Sequence, residues 1–339
     1  MLQINNVTPF KTQLMLFANR EGIDTVYAII KGTFTYHDGV RLSPEQVPIV
    51  VEDKHHGDPA TSSIRTPSDV SLEKPATDVV LVGSAWAPNG DPAWQSDASV
   101  SVASVTRTVR VSADRVWESG VAGTTASWIA PFVRMPLVWE RAYGGSDIGE
   151  KGLVADWRNP VGVGFRAKGS SKSTTGSPIA NIEDPGTLIS SATQTPSPAG
   201  FGPVPAHWLP RRKYAGTYDE QWERDRAPYL PDDFDPRFCQ IAPLGLVMPG
   251  MLQGGEIVEL RGVTPSGFAR FALPSISIEA QYHLPNKTET RPASMDTVII
   301  EPDNARLVLV WRTALPCDKQ ALKVREVEIN AGGDAVVAV

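Results

Sequence analysis

The chain reads Asp24-Thr25-Val26-Tyr27-Ala28-Ile29-Ile30-Lys31-Gly32-Thr33-Phe34-Thr35-Tyr36 near its start, and β-branched and aromatic residues predominate in this stretch. Such side chains fit the pleated surface of a β-sheet. His37-Asp38-Gly39 follows, a composition typical of a tight turn. The pattern predicts a strand over residues 24–36 and makes β-structure the starting hypothesis for the chain.

Runs of the same character occur in the first and last thirds of the sequence. They cover residues 13–18, 42–51, 78–86, 98–112, 256–263, 267–273, 276–284, 297–301, 306–313 and 323–329. In the last third, Gly, Pro and Asn separate the runs at a spacing of about 8–12 residues, the pattern of an all-β sandwich or barrel. Val100 and Val102 share one parity whereas Val105 and Val109 share the other, which predicts a β-bulge near residues 103–104.

The middle of the chain, residues 130–238, has a different character. Aromatic, proline and glycine residues crowd it, and almost no helix or strand periodicity is visible. One exception is Tyr218–Arg226, which predicts one or two helical turns with Asp219 as the N-cap. Long loops that carry many tryptophans are uncommon, and they predict an ordered surface packed on the sheets.

These patterns predict a mainly β fold with antiparallel, sandwich-like or barrel-like sheets, long ordered loops rich in aromatic residues, Pro and Gly, and little helix. They divide the chain into an N-terminal β unit (residues 1–125), a loop region packed on the sheets (126–250) and a C-terminal β unit (251–339). In an alternative that the sequence leaves open, the first and last units form one continuous domain.

Charge and composition argue against several classes of protein. The net charge is −6 and the longest basic run is Arg211-Arg212-Lys213, so we expect no nucleic-acid partner. No apolar run approaches the roughly 18 residues of a membrane helix, and the N-terminus lacks a signal-peptide pattern. The two cysteines, Cys239 and Cys317, are not spaced like a disulfide framework. We therefore expect a cytoplasmic protein with free thiols and no membrane partner.

Two groups of ionisable residues raise the question of chemistry. His55, His56 and Asp58 are metal-ligand types, but neighbours on an extended chain point to opposite faces and do not converge on one ion. Glu140 and Glu183 lie in the aromatic region, as carboxylates do in a glycosidase cleft, although nearby arginines favour structural ion pairs. Nucleophile-elbow, dinucleotide and phosphate-loop motifs are absent from the sequence. We expect no catalytic residue, no metal and no cofactor.

The loop region is instead a candidate partner-binding surface, because Trp, Tyr and Arg dominate the hot spots of protein interfaces. For any single tryptophan, packing that pins a loop to the core is the competing interpretation. The candidate partner-binding residues are Trp139, Arg141, Tyr143, Gly144, Gly145, Asn159, Phe165, Asn181, Glu183, Trp208, Tyr218, Asp219 and Trp222.

Several strings in a fixed order carry a family resemblance. They are Gly57-Asp58-Pro59-Ala60-Thr61-Ser62-Ser63-Ile64-Arg65, Lys74-Pro75-Ala76-Thr77-Asp78, Met135-Pro136-Leu137-Val138-Trp139-Glu140-Arg141-Ala142-Tyr143-Gly144-Gly145, Asn159-Pro160-Val161-Gly162, Asn181-Ile182-Glu183, Ala215-Gly216-Thr217-Tyr218-Asp219 and Leu230-Pro231-Asp232-Asp233-Phe234-Asp235. Together they resemble domain-of-unknown-function family 2169, found beside type VI secretion genes in Gram-negative bacteria. The resemblance runs from about Pro9 to about Leu284, and it leaves the tail after Pro285 without an assigned role.

The resemblance implies a cytosolic adaptor or chaperone. Such a protein holds a secreted effector and helps to mount it on the spike tip, through proteins of the VgrG and PAAR-repeat types, so these are the expected partners. No catalytic residue comes with the family. A carbohydrate-active hydrolase that uses loop carboxylates beside tryptophans is the first alternative, and a structural component of the secretion apparatus is the second.

Overall fold

The structure is a computed structural model that describes residues 2–121 and 123–333. Strands make up 44% of the structure and helices make up 8% of it, so the predicted mainly β fold is confirmed. One α-helix, α1 (Glu220–Asp225), is present in this part of the chain. Short 3₁₀ helices cover Pro88–Gly90, Trp139–Arg141, Arg211–Tyr214, Pro236–Cys239, Pro302–Asn304 and Asp318–Lys323.

The strands are numbered in chain order. They are β1 (Gln3–Asn6), β2 (Lys11–Ala18), β3 (Asp24–Thr35), β4 (Arg41–Leu42), β5 (Lys54–His55), β6 (Ile64–Thr66), β7 (Asp78–Leu81), β8 (Ser84–Trp86), β9 (Gln95–Val102), β10 (Val105–Ser112), β11 (Asp114–Gly120), β12 (Gly123–Ala130), β13 (Arg134–Pro136), β14 (Tyr143–Gly144), β15 (Ser146–Gly149), β16 (Gly152–Ala155), β17 (Val163–Gly164), β18 (Pro178–Ile179), β19 (Ile182–Glu183), β20 (Ile257–Arg261), β21 (Phe268–Ala272), β22 (Ile276–Leu284), β23 (Lys287–Pro292), β24 (Ser294–Glu301), β25 (Arg306–Pro316) and β26 (Glu326–Gly333).

The central sheet has the strand order β2-β3-β25-β24-β7, with β4 paired to the end of β3. β3 pairs with β25 in an antiparallel ladder that extends from Thr35 opposite Arg306 to Thr25 opposite Pro316. Every residue of β3 from Thr25 to Phe34 is buried. Because both faces of this strand are covered, its sequence is mostly apolar and does not alternate.

Two further sheets have the orders β1-β26-β22-β23 and β19-β10-β9-β20-β21. Alternate residues of β22, including Ile278 and Tyr282, are buried, as expected for a strand with one solvated face. Tyr36 stacks on Phe271 of β21 with ring centroids 4.3 Å apart, which joins the central sheet to the five-stranded one. All three sheets contribute side chains to one contiguous hydrophobic core.

The predicted bulge at residues 103–104 is wrong, because this is the loop of a hairpin. β9 ends at Val102, β10 begins at Val105, and these two residues pair directly. Ala103 has a φ of 50°, the left-handed value that a tight turn requires. Side chains that face each other across a hairpin share a face of the sheet, so the reversal of the chain explains the parity switch.

The strand predicted over residues 42–51 is also wrong beyond Leu42. Pro44 and Pro48 have no N–H to donate to a ladder. The Gln46 side chain takes the place of a strand, because its Oε1 accepts a hydrogen bond from the Thr33 N–H and its Nε2 donates one to the Thr33 carbonyl oxygen, both at 2.8 Å.

Strands from both ends of the chain pair within each of the three large sheets, through β1 with β26, β3 with β25, and β9 with β20. The predicted N-terminal and C-terminal units therefore share their sheets. Residues 334–339 of the predicted C-terminal unit lie outside the described residues. Among the described helices, none has the length and apolar character needed to cross a membrane.

Candidate functional site

Asn159 organises the middle of the loop region. Its side chain is fully buried, and Nδ2 donates hydrogen bonds to the carbonyl oxygens of Trp139 at 2.8 Å and Tyr143 at 3.0 Å. The Asn159 carbonyl oxygen accepts hydrogen bonds from the N–H groups of Gly145 and Gly162. One asparagine thus joins two segments that the sequence separates, and together they form a rigid bend.

The glycines around this bend are required by close backbone contacts. Gly144 has a φ of 146°, and a Cβ there would lie 2.1 Å from the Asn159 carbonyl oxygen. Gly145 has a φ of 109°, and its Cβ would lie 2.5 Å from the carbonyl oxygen of Gly162. Neither position accepts a side chain, since real Cβ atoms do not approach other atoms so closely and L-residues rarely adopt such φ values.

Trp139 ties a second loop to the same bend. Its buried indole Nε1 donates to the carbonyl oxygens of Gly202 at 3.2 Å and Pro203 at 3.1 Å. Trp208 packs edge-on against it, with ring centroids 6.1 Å apart. A buried indole N–H normally finds an acceptor, and here the acceptors lie on the loop that the ring must hold.

Glu183 forms a buried ion pair at the corner between β10 and β11. Its carboxylate accepts hydrogen bonds from Arg115 at 2.6 Å, from the Ser112 hydroxyl at 3.1 Å and from the Ile189 N–H at 2.7 Å. Both oxygens are thus in use. This carboxylate holds the loop after β19 against the sheet, as expected for a paired charge inside a protein.

An open cleft of about 470 Å³ lies among these loops and is called the loop cleft below. Most of its lining is apolar, and Leu244 in that lining is 67% exposed. The apolar lining residues are Trp139, Pro198, Val204, Leu209, Pro210, Pro243 and Leu244, and the polar ones are Arg107, Arg158, Asp184, Ser197 and Lys213. An apolar depression bordered by polar groups is typical of a protein-binding or ligand-binding site.

The charged side chains of the loop cleft are mostly basic. Arg107 lies 3.5 Å from the Asp184 carboxylate. Arg158 donates two hydrogen bonds to Asp156, and these raise the pKa of its guanidinium. Lys213 makes no salt bridge within the described part of the chain. Arg107 and Arg158 are thus paired with carboxylates, whereas Lys213 can attract an acidic side chain on an otherwise apolar partner segment.

The model of one protein family, described as an uncharacterized protein conserved in bacteria and designated DUF2169, matches residues 21–312. The chain belongs to the DUF2169 family. The match includes every residue of the loop cleft and extends beyond Leu284, where the predicted resemblance ended, through most of β25. Searches of curated proteins and of solved structures found no match.

Most of the predicted partner-binding residues of this DUF2169 protein are buried. They are Trp139, Tyr143, Gly144, Gly145, Asn159, Asn181, Glu183 and Trp208. In these buried positions the residues hold the loops in place, and Trp139 also lines the loop cleft. Burial, followed by the nearby Asp156 carboxylate, raises the pKa of the Tyr143 hydroxyl, which therefore stays protonated.

The remaining predicted residues are accessible but do not form one site. Arg141 is half-buried and donates hydrogen bonds to Asp114 and Asn181, and Phe165 is also half-buried. Tyr218 and Trp222 pack together at α1, with ring centroids 4.7 Å apart. The helical turns predicted over Tyr218–Arg226 are confirmed by α1.

At α1, the Asp219 carboxylate accepts a hydrogen bond from the Trp222 N–H at 2.9 Å, the N-cap contact that the sequence predicted. The Trp222 indole Nε1 donates to the Tyr229 carbonyl oxygen at 2.8 Å. The contacts of Asp219 and Trp222 therefore stabilise the helix and the loop that follows it. Neither residue lines the loop cleft.

Trp139 is the one lining residue of the loop cleft among the predicted partner-binding residues, and the exposed Leu209 and Leu244 and the basic Arg107, Arg158 and Lys213 are among those that the sequence analysis missed. A usable signal was the pairing of leucine with proline, as in Leu209-Pro210 and Pro243-Leu244. Such pairs combine a rigid backbone with an apolar side chain. Their convergence on one cleft required the tertiary structure.

The groups considered for chemistry are engaged in structural contacts or are dispersed. Glu140 accepts hydrogen bonds from the Ser63 N–H at 2.7 Å and the Ser63 hydroxyl at 2.8 Å. Within residues 2–121 and 123–333, no three His, Cys, Asp or Glu side chains are grouped to hold a metal. Cys239 and Cys317 are free and buried, and burial raises the pKa of both thiols.

Proposed function

We propose that this DUF2169 protein is a cytosolic adaptor that binds a secreted effector and helps to load it onto the VgrG and PAAR spike tip of a type VI secretion system, without catalysis. The observation that carries the binding role is the loop cleft, an apolar depression of about 470 Å³ held open by buried hydrogen bonds. The assignment to type VI secretion rests on the family resemblance.

The rigidity of the cleft supports binding by a preformed surface. Trp139 both lines the cleft and is fixed by its bonds to Gly202 and Pro203, so its position does not depend on a partner. A surface that is ordered before binding loses less conformational entropy when the partner arrives. Leu244 and Leu209 then offer exposed apolar anchors around it.

The engaged carboxylates support the non-catalytic part of the proposal. A glycosidase needs two carboxyl groups that face one sugar ring across roughly 5–10 Å. Here Glu183 bonds to Arg115 and Ser112, whereas Glu140 bonds to Ser63. Each of these carboxylates has donors that fix its position, and neither is among the residues that line the loop cleft.

Co-expression of the chain with the product of its neighbouring effector gene tests the proposal. We expect a stable complex on size-exclusion chromatography. A structure of that complex should show an interface that buries a total area on the order of 1,200–2,000 Å². Loss of the chain in the native cell should lower the amount of effector that is secreted. No hydrolysis should appear across a panel of glycans and esters.

Two outcomes would contradict this function. If no complex forms and effector secretion is normal in the deletion strain, the adaptor role fails. Saturable turnover of one glycan, lost in Glu183→Gln or Glu140→Gln while the fold is retained, would favour the hydrolase alternative. Release of the chain with the assembled spike, in fixed ratio to it, would favour a structural component.

A further inference from the structure

β12 is an open edge strand. It is the outer strand of the sheet β12-β11-β18, and no strand within the described residues pairs with its other side. Seven of its eight residues are exposed, so neither face is covered by the core. The outward N–H and C=O groups of such an edge are free to form a ladder with another strand.

This edge lacks the features by which proteins usually prevent strand pairing. The sequence from Val121 to Val133 contains no charged residue, and β12 contains no proline. The β-bulge at Ile129, between the pairs Trp128–Arg115 and Ala130–Asp114, lies near the end of the strand and leaves Gly123–Trp128 regular. An exposed, uncharged, regular edge of this length is a site for adding a strand.

The edge strand β23 shows the opposite design in the same protein. It borders the sheet β1-β26-β22-β23 and is largely exposed. Its sequence Lys287-Thr288-Glu289-Thr290-Arg291-Pro292 carries three charges and a terminal proline. Charge and proline block edge-to-edge pairing, so β12 and β23 differ in the property that decides pairing.

The residues of β12 are complementary to themselves. Thr124, Ala126 and Trp128 share one face, because alternate residues of a strand do so. In an antiparallel pair centred on Ala126, Trp128 of each copy lies opposite Thr124 of the other, so a large side chain meets a small one. The Trp94 ring packs edge-on against the Trp128 ring, with ring centroids 5.7 Å apart. The Arg115 guanidinium lies 5.3 Å from the centroid of the Trp128 ring.

We propose that β12 pairs antiparallel with β12 of a second copy of this chain, about a two-fold axis at Ala126, to give a continuous six-stranded sheet. The two-fold axis places Ala126 beside its own copy, and a charge at this position would therefore meet a like charge. The absence of charge over residues 121–133 fits a second copy as the occupant. This pairing is independent of the adaptor role and of the loop cleft.

Sedimentation equilibrium of the full chain over a concentration series tests the proposal without any partner protein. The wild-type chain should form a dimer. Ala126→Lys places two lysines opposite each other and should raise the dimer dissociation constant about tenfold or more. Ala126→Glu should do the same, and an equimolar mixture of the two variants should dimerise again through opposite charges. Thr290→Lys, the same charge added to exposed β23, should leave the dimer unchanged.

The mixing experiment separates pairing from folding, because a variant that failed to fold would not be rescued by its counterpart. A wild-type chain that stays monomeric at all concentrations would overturn the proposal. A dimer that both Ala126 variants leave intact would place the interface elsewhere and would overturn it equally. If the chain is monomeric and Ala126→Lys weakens effector binding, the occupant of this edge is a strand of another protein.

Discussion

The central sheet and the loop region of this protein are stabilised in different ways. In the central sheet, a long ladder of backbone hydrogen bonds joins β3 to β25, and both faces bury apolar side chains. In the loop region, a few polar side chains bond to backbone groups, and the side chain of Asn159 alone bonds to the carbonyl oxygens of two residues, Trp139 and Tyr143. The stability of the sheet is spread over many similar contacts, whereas that of the loops is concentrated in single residues.

Asp78 shows how the two regions are joined. It lies on β7, the edge strand of the central sheet, and its carboxylate is fully buried. The carboxylate accepts hydrogen bonds from the Lys74 Nζ at 2.7 Å, from the Ile241 N–H at 2.9 Å and from the Ala242 N–H at 3.1 Å. One side chain therefore helps to anchor the loop that carries Leu244 to the sheet, beside the backbone hydrogen bonds from Val79 to Leu246 and from Met248 to Thr77.

We expect the largest loss of stability from Asp78→Ala. The change removes the counter-ion of the buried Lys74 ammonium, which keeps only the Thr297 hydroxyl as an acceptor, and it leaves two N–H groups without their carboxylate acceptor. It should lower the free energy of unfolding by about 3–5 kcal/mol. Ile300→Val removes one methyl group from the neighbouring part of the central sheet and should cost only about 0.5–1.5 kcal/mol. Urea denaturation followed by tryptophan fluorescence measures both. Equal losses in the two variants would remove the contrast between the regions.

Asn159→Ala should have the next largest effect. It removes the side-chain donor to the carbonyl oxygen of Tyr143 and one of the two donors to that of Trp139, which keeps the Ala142 N–H. This should cost about 1–3 kcal/mol. The exposed Asn304, whose side chain makes no hydrogen bond to a described residue, provides the matched control Asn304→Ala, which should unfold like wild type. A thermal midpoint for Asn159→Ala within a degree of the control would show that the bend does not depend on this side chain.

Asp219→Ala should have the smallest and most local effect. It removes the N-cap of a six-residue helix at the surface, which should destabilise that helix by about 0.5–2 kcal/mol. Amide hydrogen exchange should become faster at Trp222 and Glu223 and remain unchanged in β3. If exchange also accelerates throughout the loop region, α1 is coupled to the loop cleft more tightly than its contacts indicate.

The sequence predicted the central sheet well because its signal is local. Residues 24–36 and 306–313 carry enough apolar, β-branched character to be recognised singly, and both form strands. The errors have local physical causes. A hairpin turn at Ala103 mimics a bulge, and a glutamine side chain at Gln46 replaces a strand that prolines prevent.

The candidate site could be predicted only in part, because its contacts are not local. The strings around Gly144 and Asn159 were recognisable, yet their meeting through one asparagine amide could not be seen in either string. Large aromatic residues indicated a recognition surface, but burial assigns Trp139 and Trp208 mainly to holding it. The exposed Leu244 is about a hundred residues from Trp139 in sequence and meets it only in the fold.

The central claim is that buried loop residues build the loop cleft and its exposed apolar residues bind the partner. The dissociation constant of the complex with the proposed effector partner, measured for Leu244→Glu and Leu153→Glu, tests this claim most directly. Both leucines are well exposed, at 67% and 75%, but Leu153 lies on the β15–β16 hairpin outside the cleft. Leu244→Glu should weaken binding by about 2 kcal/mol or more at an unchanged thermal midpoint, and Leu153→Glu should bind like wild type. Wild-type affinity in Leu244→Glu, or an equal loss in both variants, would contradict the claim.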